Sequence, residues 1–211
     1  MTRAAATRPG DPAAEIETPA LVVDRDALER NIERMAAYAR ARGLRLRPHA
    51  KTHKCADIAR LQVGAGAVGV CVQKISEAEA LAAAGITDIY VSNEVVDARK
   101  LERAAALAHR VQLALAVDST AAIDALAHAV ARAGSRVDVF VEIDVGQGRC
   151  GVAPAAAGHL ARQVVSHPGL RLAGLQAYHG GAQHLRSAAE RAAAIGHAVA
   201  AASAARAAVT S

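Results

Sequence analysis

Three short segments of this sequence hold residue types that can do chemistry, and each stands where an apolar run gives way to polar residues. The first is Arg47-Pro48-His49-Ala50-Lys51-Thr52-His53-Lys54. A lysine attacks an aldehyde only through its uncharged amine, which nearby cations and desolvation favour. Arg47, His49, His53 and Lys54 would supply cationic surroundings for Lys51. By itself, however, the stretch reads more simply as a solvated basic turn. The second segment is Val141-Glu142-Ile143-Asp144-Val145-Gly146-Gln147-Gly148-Arg149-Cys150-Gly151-Val152. Its glycines allow close backbone approach and positive φ, which leaves Arg149 free to direct a guanidinium at an anionic oxygen. Alone, it is a tight turn with a surface arginine. The third, Gly174-Leu175-Gln176-Ala177-Tyr178-His179-Gly180, sets Gln176, Tyr178 and His179 side by side, with Gln183 and His184 following. A satisfied core histidine and a metal ligand compete for that position, and no carboxylate or cysteine stands at a spacing that favours a metal.

The elements that must position these segments follow from the apolar pattern. Strands are expected over residues 20–23, 44–48, 67–72, 88–91, 111–117, 137–143 and 170–177, and several of these runs are continuously apolar, as in strands buried on both faces. Asp26 with Glu29 resembles a capping box for a helix ending near Gly43, with Leu28, Ile32, Met35 and Ala39 along one face. Ser76 with Glu79 opens a second helix, closed at Gly85. Ser119 or Thr120 opens a third, ending at Gly134. Further helices follow Pro154 and span about 186–207, with another strand beginning at 207–211. Such alternation points to parallel βα units. No G-x-G-x-x-G follows an early strand and no G-x-x-x-x-G-K-[ST] occurs, so a (β/α)8 barrel is favoured over an open doubly wound sheet. A barrel places its active site at the C-terminal ends of its strands and needs roughly 250 residues. With 211 residues, the barrel is expected to be incomplete.

Composition narrows the function. Hydrophobic residues make up 53% of the chain and aromatics only 2%, so the core is built from Ala, Val, Leu and Ile, and aromatic readers of nucleic-acid bases are not expected. The net charge of +5 is spread over mixed helical stretches such as Arg30, Arg34, Arg40 and Arg42 with Glu29 and Glu33, which reads as solvated helix faces. Cys55, Cys71 and Cys150 form an odd set without C-x-x-C spacing, which suits a reducing cytoplasm. Arg, His and Gly interrupt the Ala-rich stretches, so no membrane-spanning run is expected. The first 17 residues lack the apolar region of a secretory signal and read as a disordered lead-in to a domain over 18–211.

Together the motifs resemble one family, the alanine-racemase-like barrel of D-threonine aldolase, D-serine dehydratase and 3-hydroxy-D-aspartate aldolase. In order, they are Thr18-Pro19-Ala20-Leu21-Val22-Val23-Asp24, P-H-A-K-T-H-K, Gly66-Ala67-Val68-Gly69-Val70-Cys71, D-V-G-Q-G-R-C-G-V and G-L-Q-A-Y-H-G. The resemblance covers residue 18 to the end and implies a fold-type III pyridoxal 5'-phosphate enzyme. It makes Lys51 the catalytic lysine that carries the cofactor, and it places Arg149 near the cofactor's phenolic oxygen. Gln176, Tyr178 and His179 would flank the pyridine ring. It also implies that residues 20–23 pair with a C-terminal β domain outside this chain. A Gly/Thr-rich phosphate loop and the ligands of a divalent metal are likewise expected outside it, so no metal ligand is assigned here. The expected activity is retro-aldol cleavage of a D-3-hydroxy amino acid to glycine and an aldehyde, by a cytoplasmic homodimer with no nucleic-acid or membrane partner. β-Elimination and racemisation are the catalytic alternatives, and a pyridoxal-phosphate carrier is the non-catalytic one.

Overall fold

The computed structural model describes residue 8 and residues 10–210. Of the expected lead-in, residues 1–7 and 9 therefore lie outside the described residues, and the rest holds one exposed 3-10 turn, Ala13–Glu15. From there helices and strands alternate: α1 Arg25–Ala41, α2 Ala56–Gly64, β1 Val70–Val72, α3 Ile75–Ala83, β2 Asp88–Glu94 and α4 Ala98–Leu107. Then come β3 Gln112–Val117, α5 Thr120–Ala133, β4 Val137–Glu142, α6 Ala157–Ser166, β5 Leu170–Gln176 and α7 Ala188–Thr210. The five strands form one parallel sheet in the order β1-β2-β3-β4-β5. Sequential order with a helix after each strand is how a (β/α) barrel is built. Among the described residues β5 does not pair back to β1, so the barrel is not closed.

Each face of the sheet has its own core. Val70, Val72, Ile89, Val91, Leu113, Leu115, Val139 and Val141 are buried in the main cluster with Leu101, Ile123, Leu126, Leu160 and Val164 of the helices. Cys71, Tyr90, Ala114 and Ala116 form a second cluster, joined by Phe140. The period-two alternation of strands separates the two sets. The chain's single Phe thus lies on the barrel-interior face, its ring 4.7 Å from that of Tyr90.

Several boundaries differ from those the pattern suggests. Asp24, not Asp26, caps α1 by accepting from the Ala27 N–H at 2.9 Å. Ser76 does not cap α3; Glu77 reaches back to the Gln73 N–H instead, at 2.9 Å. The short helices α2 and α4 escaped the periodicity reading: α2 buries only Ala59, and α4 packs Leu101, Ala104, Ala105 and Leu107 into a stripe too short to stand out among its charges. Residues 20–23 form no strand: Leu21 is 95% exposed, and β-branched composition makes no strand without a partner. The 44–48 run is also not a strand, although it lies along β1. Val68 N–H donates to Leu46 O, Cys71 N–H to Pro48 O and Ala50 N–H to Cys71 O. Pro48 has no N–H to extend that ladder.

The strand expected from 207 is instead the last turn of α7, with Ser211 outside the described residues. Alanine's helix propensity outweighs the single Val209. A spanning run was not expected, yet α7 has the length and mean hydropathy (23 residues, 1.3) to cross a bilayer. Its place in the fold is against α6, where Ala205 is fully buried and the Ala208 carbonyl lies over Gly158.

Candidate active site

The C-terminal ends of the strands surround a cavity of about 290 Å³ lined by Arg47, His49, Lys51, Cys71, Gln73, Tyr90, Ser92, Arg149, Gln176 and Tyr178. Four of the five residues singled out from the motifs therefore meet in one place: Lys51, Arg149, Gln176 and Tyr178. His179 does not line the cavity. Its ring lies 3.3 Å from where a Cβ on Gly146 would sit, and its buried Nδ1 has no partner. A larger hollow of about 440 Å³ beside the cavity, bounded by Asn93, Asp97, Lys100 and Arg103, receives none of the five.

Lys51 sits in a turn just past the bridge between His49 and Cys71, and its side chain is exposed. Its backbone N–H donates to His49 Nδ1 at 3.2 Å, so the imidazole proton is on Nε2, 3.3 Å from Ser92 Oγ. Burial first, and then the Lys51 charge, lowers the His49 pKa and keeps the ring neutral. The cationic surroundings expected for Lys51 are thus largely compensated. Arg47 makes a two-pronged bond to Asp88, at 2.8 and 3.1 Å. Burial lowers the His53 pKa, and Lys54 is bonded to Glu77. Lys51 has no ion-pair partner among the described residues.

The Gly-rich loop after β4 is shaped from within. Asp144 Oδ1 accepts the N–H groups of Gly146 and Gly148 at 2.9 and 3.1 Å, and these bonds, Gly148 first, hold its pKa below the usual value. Gly151 (φ +94°) approaches so closely that a Cβ would lie 2.6 Å from the Ile143 carbonyl carbon. Asp118 Oδ2 accepts the Gly151 N–H at 3.2 Å, and Gln147 Oε1 ties the loop to Gly181 at 2.9 Å. Arg149 is thereby carried to the cavity, 5.5 Å over the Tyr178 ring and 3.8 Å from Glu142 Oε1.

Tyr90, Ser92, Cys71 and Glu142 were not read from the sequence, because each sits within or at the end of a strand that looks like core. Tyr90 O–H donates to Gln176 Oε1, and Gln176 Nε2 donates to Glu142. Burial first, and then Glu94, pushes the Glu142 pKa up to about 8. Burial raises the Tyr90 phenol and the Cys71 thiol as well. Glu94, Asp118 and Cys150 offer donor atoms within 4.8 Å of one another. Asp118 is already an acceptor for the loop, and burial, then Glu94, raises the Cys150 thiol toward its neutral form. No metal is assigned to the three groups.

Parallel βα units thus bring a lysine with no ion-pair partner among the described residues and a loop arginine to one cavity at the strand ends. The alanine racemase N-terminal domain family matches residues 23–210, and the chain belongs to it. It is 48% identical over 186 residues to the D-threonine aldolase of Arthrobacter sp., covering 88% of this chain and 49% of that protein. It is 44% identical over 195 residues to the 3-hydroxy-D-aspartate aldolase of Paracoccus denitrificans (strain Pd 1222), covering 91% and 50%. The crystal structure of D-threonine aldolase from Filomicrobium marinum superposes with a TM-score of 0.95 at 47% identity, covering 98% of this chain and 56% of that one. The chain spans about half the length of these relatives. The family implies pyridoxal phosphate, and the cavity fits it chemically. It offers an amine for the aldehyde, a guanidinium for a phenolate oxygen, and an amide and phenol wall, within a volume near the lower end for small-molecule sites.

Proposed function

We propose that the protein containing this chain is a pyridoxal-phosphate-dependent lyase that cleaves D-3-hydroxy amino acids to glycine and an aldehyde. The observation that carries this reading is the unpaired Lys51 sharing a cavity with Arg149 at the strand ends. Lys51 binds the cofactor through its amine. His49, neutral and held to Ser92, fixes the backbone of the turn that presents this amine. Arg149 stabilises negative charge on an oxygen at the cavity wall through a charge-assisted bond. Gln176 and Tyr178 bound the same wall and orient what lies between them, while His179 supports the loop from outside. Bound pyridoxal phosphate supplies an electron sink for the pair released when a bond at Cα breaks.

The related aldolases support cleavage between Cα and Cβ. A divalent metal with ligands outside this chain, a homodimeric assembly and a cytoplasmic setting complete the proposal. The test is to incubate the full-length protein with D-threonine, cofactor and a divalent metal and to measure glycine and acetaldehyde. Stoichiometric release of both, with L-threonine untouched, is expected. Cofactor binding without glycine release would overturn the aldolase reading, with 2-oxobutyrate pointing to β-elimination and no turnover at all to a carrier.

A further inference from the structure

Glu142 ends β4 at only 3% exposure, on the barrel-interior face it shares with Phe140. Groups from four parts of the fold surround it. Glu94 and Tyr90 come from β2, Gln176 from β5, and Arg149 and Cys150 from the Gly-rich loop. Asp118, after β3, joins Glu94 and Cys150. Arg149 is the one cation in this set, and its side chain is 44% exposed with Nη2 3.8 Å from Glu142 Oε1. A single half-solvated guanidinium does not balance Glu94, Glu142 and Asp118 together. A buried carboxyl beside half-buried carboxylates is favoured in its protonated form under such conditions.

A count of donors and acceptors agrees. Glu94 Oε1 is buried and meets no donor, while Gln176 Nε2 already donates to Glu142 Oε2. Ionised carboxylates only accept, whereas a protonated one can donate. A proton carried by Glu142 gives the orphaned Glu94 oxygen its partner.

We propose that Glu142 holds one proton behind the cavity and shares it in a hydrogen bond to Glu94, and that Glu142 is thereby the positioning residue for Gln176, Tyr90 and Arg149. While the proton is present, Glu142 accepts from Gln176, whose Oε1 in turn accepts from Tyr90, and Arg149 keeps its charge for the cavity. When it is lost, the new carboxylate competes for Arg149. The effect on pyridoxal phosphate rests on the function proposed above, but the shared proton does not.

Burial and Glu94 raise the Glu142 pKa, so the folded chain keeps a proton that the unfolded chain releases at lower pH. The associated stability is complete below the ordinary carboxylate value and is lost as pH rises to about 8. The full-length protein and its E142Q, E142A and E94Q variants are compared in two ways. Infrared difference titration of the cofactor-free proteins is expected to show a protonated-carboxyl band in the wild type that disappears on alkalinisation. E142Q and E142A are expected to lack it, and E94Q to lose it at lower pH. Absorbance titration with pyridoxal phosphate is expected to show wild-type affinity falling from neutral to about pH 9. E142Q should keep its neutral-pH affinity without that fall, and E142A should bind about tenfold more weakly. A band that survives in E142Q, or an E142Q affinity that still falls as in the wild type, overturns the proposal. If no protein binds the cofactor but the band behaves as stated, the shared proton stands and the cofactor reading fails.

Discussion

Lys51 and Lys54 are chemically alike and three positions apart, yet the turn gives them different surroundings. Lys54 adopts a positive φ of 49° and is bonded to Glu77, whereas Lys51 faces the cavity without an ionic partner. Arg149 is the cavity's other loosely held cation, 3.8 Å from Glu142, since Arg47 is held by Asp88. Arg149→Ala should therefore weaken pyridoxal-phosphate binding by roughly tenfold to a hundredfold, the value of one charge-assisted hydrogen bond. An absorbance titration with unchanged affinity would reduce Arg149 to a loop-surface residue. The segments that bring Lys51, Arg149, Gln176 and Tyr178 to the cavity stood out where polar residues end apolar runs, but only the family resemblance gave those residues roles. Tyr90 and Glu142 did not stand out, because an isolated polar residue in a core strand looks the same whether it faces helices or the barrel interior. The alternation of Asp138, Phe140 and Glu142 was the available signal.

At the scale of elements, the loop between β4 and α6 depends on glycine where the chain turns back on itself. Gly151→Ala would force a Cβ into the backbone of Ile143 and Asp144 at a φ of +94°. A strained left-handed residue alone costs about 1–3 kcal/mol, and the clash adds to it. Urea denaturation of this variant should show a loss of at least about 2 kcal/mol, and an unchanged midpoint would refute the close approach. Gly134 stands as a contrast, because a Cβ there meets nothing within 4 Å and only its φ of +65° opposes replacement. That residue also shows what patterning can deliver. Ser119 and Gly134 bound α5 where the sequence suggested, since cap chemistry is local. The missed helices α2 and α4 are only nine and ten residues long, so each offers too few apolar positions to reveal a period, and burial against neighbours holds them in place. Residues 20–23 mislead because a strand needs a hydrogen-bonding partner that local composition does not provide, whereas 44–48 has partners along β1 but Pro48 cannot donate to the ladder.

At the scale of the whole molecule, the sheet has two ends. The outer edge of β1 is covered by the bridged segment at His49, and β5 has no second partner among the described residues. Leu21, Leu44, Ile195 and Val199 are all more than 45% exposed. Open edges and apolar faces of this kind recruit other chains. The 211-residue chain expressed alone should therefore self-associate in size-exclusion chromatography and show no stereospecific turnover of D-threonine. A monodisperse monomer that cleaves D-threonine would contradict this.

The central claim is that the cavity at the strand ends exists to hold a carbonyl cofactor on Lys51. It is tested most directly by incubating the full-length protein with pyridoxal phosphate, reducing with borohydride and mapping the labelled peptide. The label is expected on Lys51, to vanish in Lys51→Ala and to persist in Lys54→Ala. A label on Lys54, or one that survives Lys51→Ala unchanged, would contradict the assignment.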